Sequence, residues 1–117
     1  MKAYERLLSY VKIFTPSNEE STSSPSSRCQ FDLARLLVEE LKGLGISDVT
    51  LDDHCYVYAH LPATEGLEHC KALGFIAHMD TVSDFCDHAV TPVITENYDG
   101  KDLPLGTSGR TLSPEMF

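Results

Sequence analysis

Apolar residues recur at helical spacing in the first part of the chain. Positions 4, 7, 8, 11 and 14 are all apolar, which places them on one face of a helix. Pro16 is predicted to end this helix, because the residue before a proline is pushed out of the helical region. Residues 15–27 are almost wholly polar and predict a mobile surface loop that buries nothing. Loops of this length often border a binding site.

A second amphipathic helix is predicted to follow this loop. Ser27 and Gln30 have the spacing of a capping box, in which the two side chains satisfy free backbone N–H groups. The predicted buried stripe of this helix consists of Phe31, Ala34, Leu37, Val38 and Leu41. Gly43 and Gly45 predict its end, since glycine accepts the left-handed conformation at low cost.

The middle of the chain has the pattern of β-strands. Residues 49–51 predict a short strand, Asp52 and Asp53 a turn, and residues 54–61 an alternating strand. The residues of this strand predicted to face the core are Cys55, Val57, Ala59 and Leu61. Residues 72–77 are continuously apolar, as in a strand covered on both faces, and residues 90–95 and 103–105 predict a short hairpin. Helices beside a buried strand indicate an α/β layer architecture.

Composition narrows the classes of function. The net charge is −9 and no Lys/Arg cluster offsets it locally, which disfavours nucleic acid as a partner. No apolar stretch reaches the length of a secretory signal or a membrane span, so we expect a cytoplasmic protein without a membrane partner. The four cysteines show no C-x-x-C spacing, and in that compartment we expect reduced thiols.

The strongest chemical signal lies at the end of the apolar run 72–77. His78 and Asp80 follow it directly, and their spacing puts both side chains on one face if the backbone stays extended. Ligands of open α/β sheets collect at the carboxyl ends of strands, and a metal-binding histidine commonly gives its second ring N–H to a carboxylate. On spacing alone, a simple hydrogen-bonded strand end explains the pair better than a metal site does, because metal ligation needs more than one such pair.

Other histidines and cysteines form weaker candidates. His54 and His60 share a strand face but lie about 20 Å apart, too far to hold one ion. The pair His69–Cys70 and the triplet 86–88 (Cys-Asp-His) do not match the spacing of structural zinc sites.

Several motifs resemble one family along the whole chain. The segment 74–81, Gly-Phe-Ile-Ala-His-Met-Asp-Thr, resembles the metal-ligand segment of peptidase T, a family of tripeptide aminopeptidases among the dinuclear-zinc M20 metallopeptidases. Residues 96–102 with Leu105 and Gly106, and residues 112–117, resemble two further segments of that family. Residues 7–11 and 59–63 also fit.

This resemblance implies a metalloaminopeptidase that releases the N-terminal residue from tripeptides in the cytoplasm. It implies His78 as a ligand of one of two Zn²⁺ ions and Asp80 as the catalytic-site aspartate that positions it. Residues 1–117 would form the N-terminal, incomplete portion of a catalytic domain with a mixed sheet flanked by helices.

The same resemblance places the other metal ligands and the general base beyond residue 117. We therefore expect this chain alone to bind zinc weakly, to hydrolyse nothing and to self-associate through the unpaired strand at 72–77. Two alternatives stay open: another M20-type hydrolase (a deacetylase, carboxypeptidase or dipeptidase), or a truncated domain without catalysis.

Overall fold

Two helices and two small antiparallel sheets make up the regular structure in the computed structural model, which describes residues 1–84 and 88–116. Helix α1 spans Ala3–Tyr10 and α2 spans Gln30–Gly43. Strands β1 (Asp48–Leu51) and β2 (Val57–His60) form one sheet, and β3 (Leu103–Pro104) and β4 (Thr111–Leu112) form the other. A 3-10 turn follows at Pro114–Met116. The predicted α/β character is confirmed.

Helix α2 forms the centre of the packed region and lies against the β1–β2 hairpin. The buried apolar side chains are Leu33, Ala34, Val38 and Cys55. Within the predicted stripe, Ala34 and Val38 are therefore buried, whereas Phe31, Leu37 and Leu41 are only half-buried. Helix α1 is held to α2 by polar contacts: Tyr10 donates a hydrogen bond to Glu40, and Arg6 lies 3.2 Å from the same carboxylate.

The predicted end of α2 is confirmed, and its geometry is specific. Gly45 has a φ of +90°, and its N–H donates to the carbonyl of Lys42 at 2.9 Å. The N–H of Ile46 donates to the carbonyl of Leu41 at 3.2 Å. These two bonds form a Schellman motif, which satisfies carbonyls that the helix leaves unpaired.

The prediction that a capping box of Ser27 and Gln30 begins α2 is wrong. Cys29, not Ser27, is the N-cap residue, and its side chain makes no capping hydrogen bond. Gln30 does not reach back to the helix terminus; its side-chain amide donates to the carbonyl of Pro16 at 3.4 Å and is buried. The loop 15–27 therefore packs against the helix at this point, and Thr15 and Pro16 are buried rather than exposed.

The β1–β2 hairpin confirms the two predicted strands and the turn, except that β2 begins at Val57 and not at His54, because the turn that starts at Asp52 extends to Tyr56. Asp48 pairs with His60 and Leu51 with Val57, in antiparallel register. In the turn, the Asp52 carboxylate accepts hydrogen bonds at 2.9 Å from the backbone N–H groups of His54 and Tyr56. The predicted core face holds only in part. Cys55 is buried just before the strand, but Ala59 and Leu61 are exposed because nothing in the described chain packs over that end of β2.

The prediction of a buried strand at 72–77 is wrong. This segment has no regular structure, and Phe75 is 90% exposed. Its backbone makes no hydrogen bond to any other residue within 1–84 and 88–116. A covered strand needs ladder partners on its edges and side chains over both faces, and the described residues supply neither. The predicted strand at 90–95 is likewise not formed, and Leu103–Pro104 pairs with Thr111–Leu112 instead.

The accessible surface of the molecule shows how much remains uncovered. It measures 9,877 Å², whereas a compact monomer of this mass exposes about 6,300 Å². The radius of gyration is 18.2 Å, compared with about 13 Å for a compact domain of this length. One small core around α2 and the β1–β2 hairpin is thus surrounded by extended chain.

Candidate functional site

His78 and Asp80 form a hydrogen-bonded pair even though the strand that was predicted to precede them is not formed. The Nδ1 atom of His78 lies 3.1 Å from Oδ1 of Asp80 and 2.9 Å from the backbone carbonyl oxygen of Asp80. Both side chains therefore lie on the same side of the backbone, as their spacing predicts. The His78 side chain is 85% exposed and that of Asp80 46%, so the ring is not inserted into an apolar interior.

The two partners of Nδ1 determine the tautomer of the neutral ring. A carbonyl oxygen and a carboxylate oxygen are both acceptors, so Nδ1 must carry the proton. The lone pair of the neutral imidazole then belongs to Nε2, which is the atom that a metal ion would bind. A carboxylate on the opposite ring nitrogen fixes this orientation and increases the basicity of the ligand. The donor chemistry of the pair therefore fits zinc.

The residue after this pair is tied to the loop that follows α1. The N–H of Thr81 donates to the carbonyl of Thr15 at 3.0 Å, and the carbonyl of Thr81 accepts from the N–H of Ser17 at 2.9 Å. These two bonds form a parallel bridge around Pro16. The Ser17 hydroxyl also donates to the Thr81 carbonyl at 3.2 Å. The polar loop thus borders the site, as its length predicts. The sequence did not indicate that Thr15 and Ser17 are the loop residues that contact it.

Two cavities meet at the His78–Asp80 segment. One, of about 460 Å³, lies between this segment and the apolar faces of α1 and α2. The other, of about 860 Å³, lies between residues 75–80 and the aromatic edge of the hairpin formed by His54, Tyr56 and Tyr58. The rings of His54 and Tyr56 are stacked with centroids 6.5 Å apart. Both cavities have the size of small-molecule sites.

The weaker candidates do not form metal sites in the described chain. His60 lies across the hairpin from Asp48 with Nδ1 3.6 Å from its carboxylate, and His69 and Cys70 are an exposed pair with ring nitrogen and sulfur 3.9 Å apart. Of the triplet 86–88, residues 86 and 87 lie outside the described residues. Across 1–84 and 88–116, no three His, Cys, Asp or Glu side chains are grouped to hold a metal ion.

Three cysteines lie in the described part of the chain, and the environment of one of them, Cys55, bears on its reactivity. Cys29, Cys55 and Cys70 are free thiols. Burial, reinforced by the nearby carboxylate of Asp52, raises the pKa of the Cys55 thiol. Because the thiolate is the reactive form, this cysteine is a poor nucleophile at neutral pH.

None of the described helices has the length and apolar character needed to cross a membrane.

Comparison with known proteins extends the resemblance seen in the motifs. No protein-family model matches the chain. It is 48% identical over 117 residues to peptidase T of Bacillus licheniformis, covering 99% of this chain and 28% of that protein. Peptidase T of Alkaliphilus oremlandii is 49% identical over 115 residues, and that of Aliivibrio fischeri is 47% identical over 113 residues, each covering 97% of this chain. The chain spans 28% and 27% of the length of these two relatives. The resemblance to peptidase T predicted from the motifs is therefore confirmed along nearly all of this chain, which corresponds to little more than a quarter of each relative.

Proposed function

We propose that this chain is the His78-bearing part of a zinc aminopeptidase of the peptidase T type, which releases the N-terminal residue from tripeptides. The observation that carries this proposal is the His78–Asp80 pair, in which the carboxylate holds Nδ1 and leaves the Nε2 lone pair for a metal ion. The sequence identity of 47–49% to peptidase T supports tripeptides as the substrate class.

In this proposal His78 binds one of two zinc ions and Asp80 is the residue that orients it. When bound, the metal lowers the pKa of a water molecule so that it can attack a peptide carbonyl near neutral pH. Asp80 holds the proton on Nδ1 and prevents the ring from flipping, so that Nε2 stays available to a metal ion. The cavity of about 860 Å³ beside the pair has room for a short peptide, and the rings of Tyr56 and Tyr58 line it.

The number of ligands limits what the chain does alone. Catalytic zinc sites usually have about three protein ligands, and the described residues provide one histidine without a grouped set around it. This observation favours weak zinc binding and no turnover by residues 1–117 alone. The assignments to the M20 family and to the cytoplasm are also part of the proposal, implied by the resemblance, and cell fractionation would test the latter.

Zinc titration of the chain by calorimetry tests the assignment of His78. We expect weak binding that is lost in His78→Ala and retained in the control His60→Ala, because His60 also neighbours an aspartate but lies on the hairpin. Equal binding by the wild type and His78→Ala would contradict the role of His78 as a ligand.

A hydrolysis assay on a panel of tripeptides, dipeptides and N-acetylated amino acids tests the reaction. We expect no turnover by residues 1–117, and tripeptide cleavage by a chain extended to the length of the relatives. In that longer chain, His78→Ala should abolish cleavage and His60→Ala should preserve it. Cleavage by the 117-residue chain, or a preference for dipeptides or acetylated substrates in the longer one, would refute the proposal.

A further inference from the structure

A buried amide connects α2 to the loop that borders the candidate site. Gln30, the first residue of α2, is only 7% exposed although its side chain is polar. Its Nε2 atom donates to the carbonyl of Pro16 at 3.4 Å. No buried side-chain nitrogen or oxygen lacks a partner in the described chain, which is consistent with a satisfied role for this amide.

Pro16 is also the centre of the bridge to Thr81. The residues on either side of it, Thr15 and Ser17, exchange the two backbone hydrogen bonds with Thr81 described above. Thr15 is 4% exposed, and its hydroxyl oxygen lies 3.5 Å from that of Thr81. The loop therefore meets α2 through a side-chain bond on one side and the candidate site through backbone bonds on the other.

This arrangement matters because the site has little other support. The segment that precedes it, residues 72–77, makes no backbone hydrogen bond to another described residue. Thr81 directly follows Asp80, so its bridge fixes the backbone next to the carboxylate that orients His78. The contacts therefore run from Gln30 through Pro16 and Thr81 to Asp80.

We propose that Gln30 is a positioning residue for the His78–Asp80 pair. It acts by holding the loop at Pro16, and through the Thr81 bridge it keeps the Asp80 carboxylate against Nδ1 of His78. The functional importance of this inference rests on the proposed function, in which the oriented imidazole of His78 is the zinc ligand. Its physical content, the tautomer of His78, is independent of metal and substrate.

Nuclear magnetic resonance of the ¹⁵N-labelled, metal-free chain tests this inference at about pH 8, above the ordinary range of histidine titration. Long-range proton–nitrogen spectra report the tautomer of each ring, and hydrogen exchange reports the Thr81 amide. The variants are Gln30→Met and Gln30→Glu, which keep the length of the side chain but remove its amide donor. Glu39→Met is the control, because Glu39 is an exposed residue of the same helix whose carboxylate forms an ion pair with Lys42 at 3.2 Å.

We expect the wild type and Glu39→Met to show His78 with its proton on Nδ1. Both Gln30 variants should keep the helical circular dichroism signal but shift His78 toward the mixed tautomers of an unrestrained ring, with His60 unchanged in the same spectra. Exchange of the Thr81 amide should accelerate about tenfold, as for the loss of one buried hydrogen bond.

Two results would overturn the inference. One is an unchanged His78 tautomer and unchanged Thr81 exchange in both Gln30 variants. The other is loss of helical signal in both variants, which would make Gln30 a residue that stabilises the fold as a whole. Failure of the proposed function has a different signature, because zinc binding would then be insensitive to His78→Ala while the tautomer results stood.

Discussion

The exposed run at residues 72–77 predicts that the chain self-associates, and Ile76→Lys is the perturbation that tests it. The side chains of Leu73, Phe75 and Ile76 are almost completely exposed, and the surrounding backbone is unpaired within the described chain. A segment of this length with β-forming residues, no charge and no proline is a template for pairing with another copy.

The size of the effect follows from the exposed side chains. Burying an apolar side chain of this kind stabilises by about 1.5–3 kcal/mol, so covering three on each of two copies gives about 9–18 kcal/mol. Association costs about 4–15 kcal/mol. Hydrogen bonds between paired strands add about 0.5–1.5 kcal/mol each, which shifts the balance toward association. We expect it at micromolar concentrations, where such exposed strand edges commonly aggregate.

The variant removes one apolar side chain from each copy and adds a positive charge. Losing about 3–6 kcal/mol per pair weakens the association constant by roughly 10²–10⁴. Val93→Lys is the matched control. Val93 is 89% exposed and lies outside the run, and its replacement by lysine introduces the same charge. Higher salt should strengthen association of the wild type, since it screens repulsion between copies that each carry a net charge of −9.

Sedimentation velocity over about 1–300 μM measures the outcome in the range where such association occurs. We expect concentration-dependent association of the wild type and of Val93→Lys, and its loss in Ile76→Lys. A monomer at every concentration would refute the reasoning. Equal weakening by the two lysine variants would show that charge, and not the apolar run, controls association.

Two further predictions concern the packed region around α2. Burial, followed by the hydrogen bond to Glu40, raises the pKa of Tyr10 above its ordinary value of 10.0. The stability contributed by the neutral phenol is therefore complete below pH 10 and is lost as pH rises through the folded-state pKa. We expect the free energy of unfolding, measured by urea titration at each pH, to fall less steeply above pH 10 in Tyr10→Phe than in the wild type. Gly45→Ala should destabilise α2 by about 1–2 kcal/mol. The added methyl would contact no other atom, so the cost comes from the backbone, whose φ of +90° disfavours a side chain. Gly43→Ala should not destabilise the helix, because a methyl there also contacts nothing and no positive φ is involved. Thermal melts followed by circular dichroism would show the difference, and equal melting of the two alanine variants would contradict it.

Local patterns in the sequence predicted local structure well. The two helices, the glycine end of α2 and the turn at Asp52 depend on residues within a few positions of one another, and each is formed, although α1 ends at Tyr10 and not at Pro16 as predicted. The His78–Asp80 contact is of the same kind, because two residues separated by one position need no distant partner to meet. The link between Gln30 and Pro16 was not predicted, since a glutamine at the start of a helix is equally typical of a capping box.

Predictions that depended on distant partners failed for a physical reason. A continuous apolar run indicates a strand covered on both faces only if other segments provide the cover and the ladder. The described residues place none of these around residues 72–77, although the chain matches peptidase T along 97–99% of its own length. The apolar pattern of residues 72–77 thus indicates the environment that a covered strand requires, and the described residues do not supply that environment.

The candidate site is formed while the strand leading into it is not, and this difference has a consequence for its chemistry. His78 and Asp80 are joined by their own hydrogen bond and anchored on one side only, at Thr81, whereas the preceding residues 72–77 are unanchored in the described chain. A ligand held from one side loses more orientational freedom on binding a metal ion, and that entropy cost lowers affinity. Under the proposed function, pairing of residues 72–77 with a neighbouring strand would anchor the other side and should strengthen zinc binding at His78.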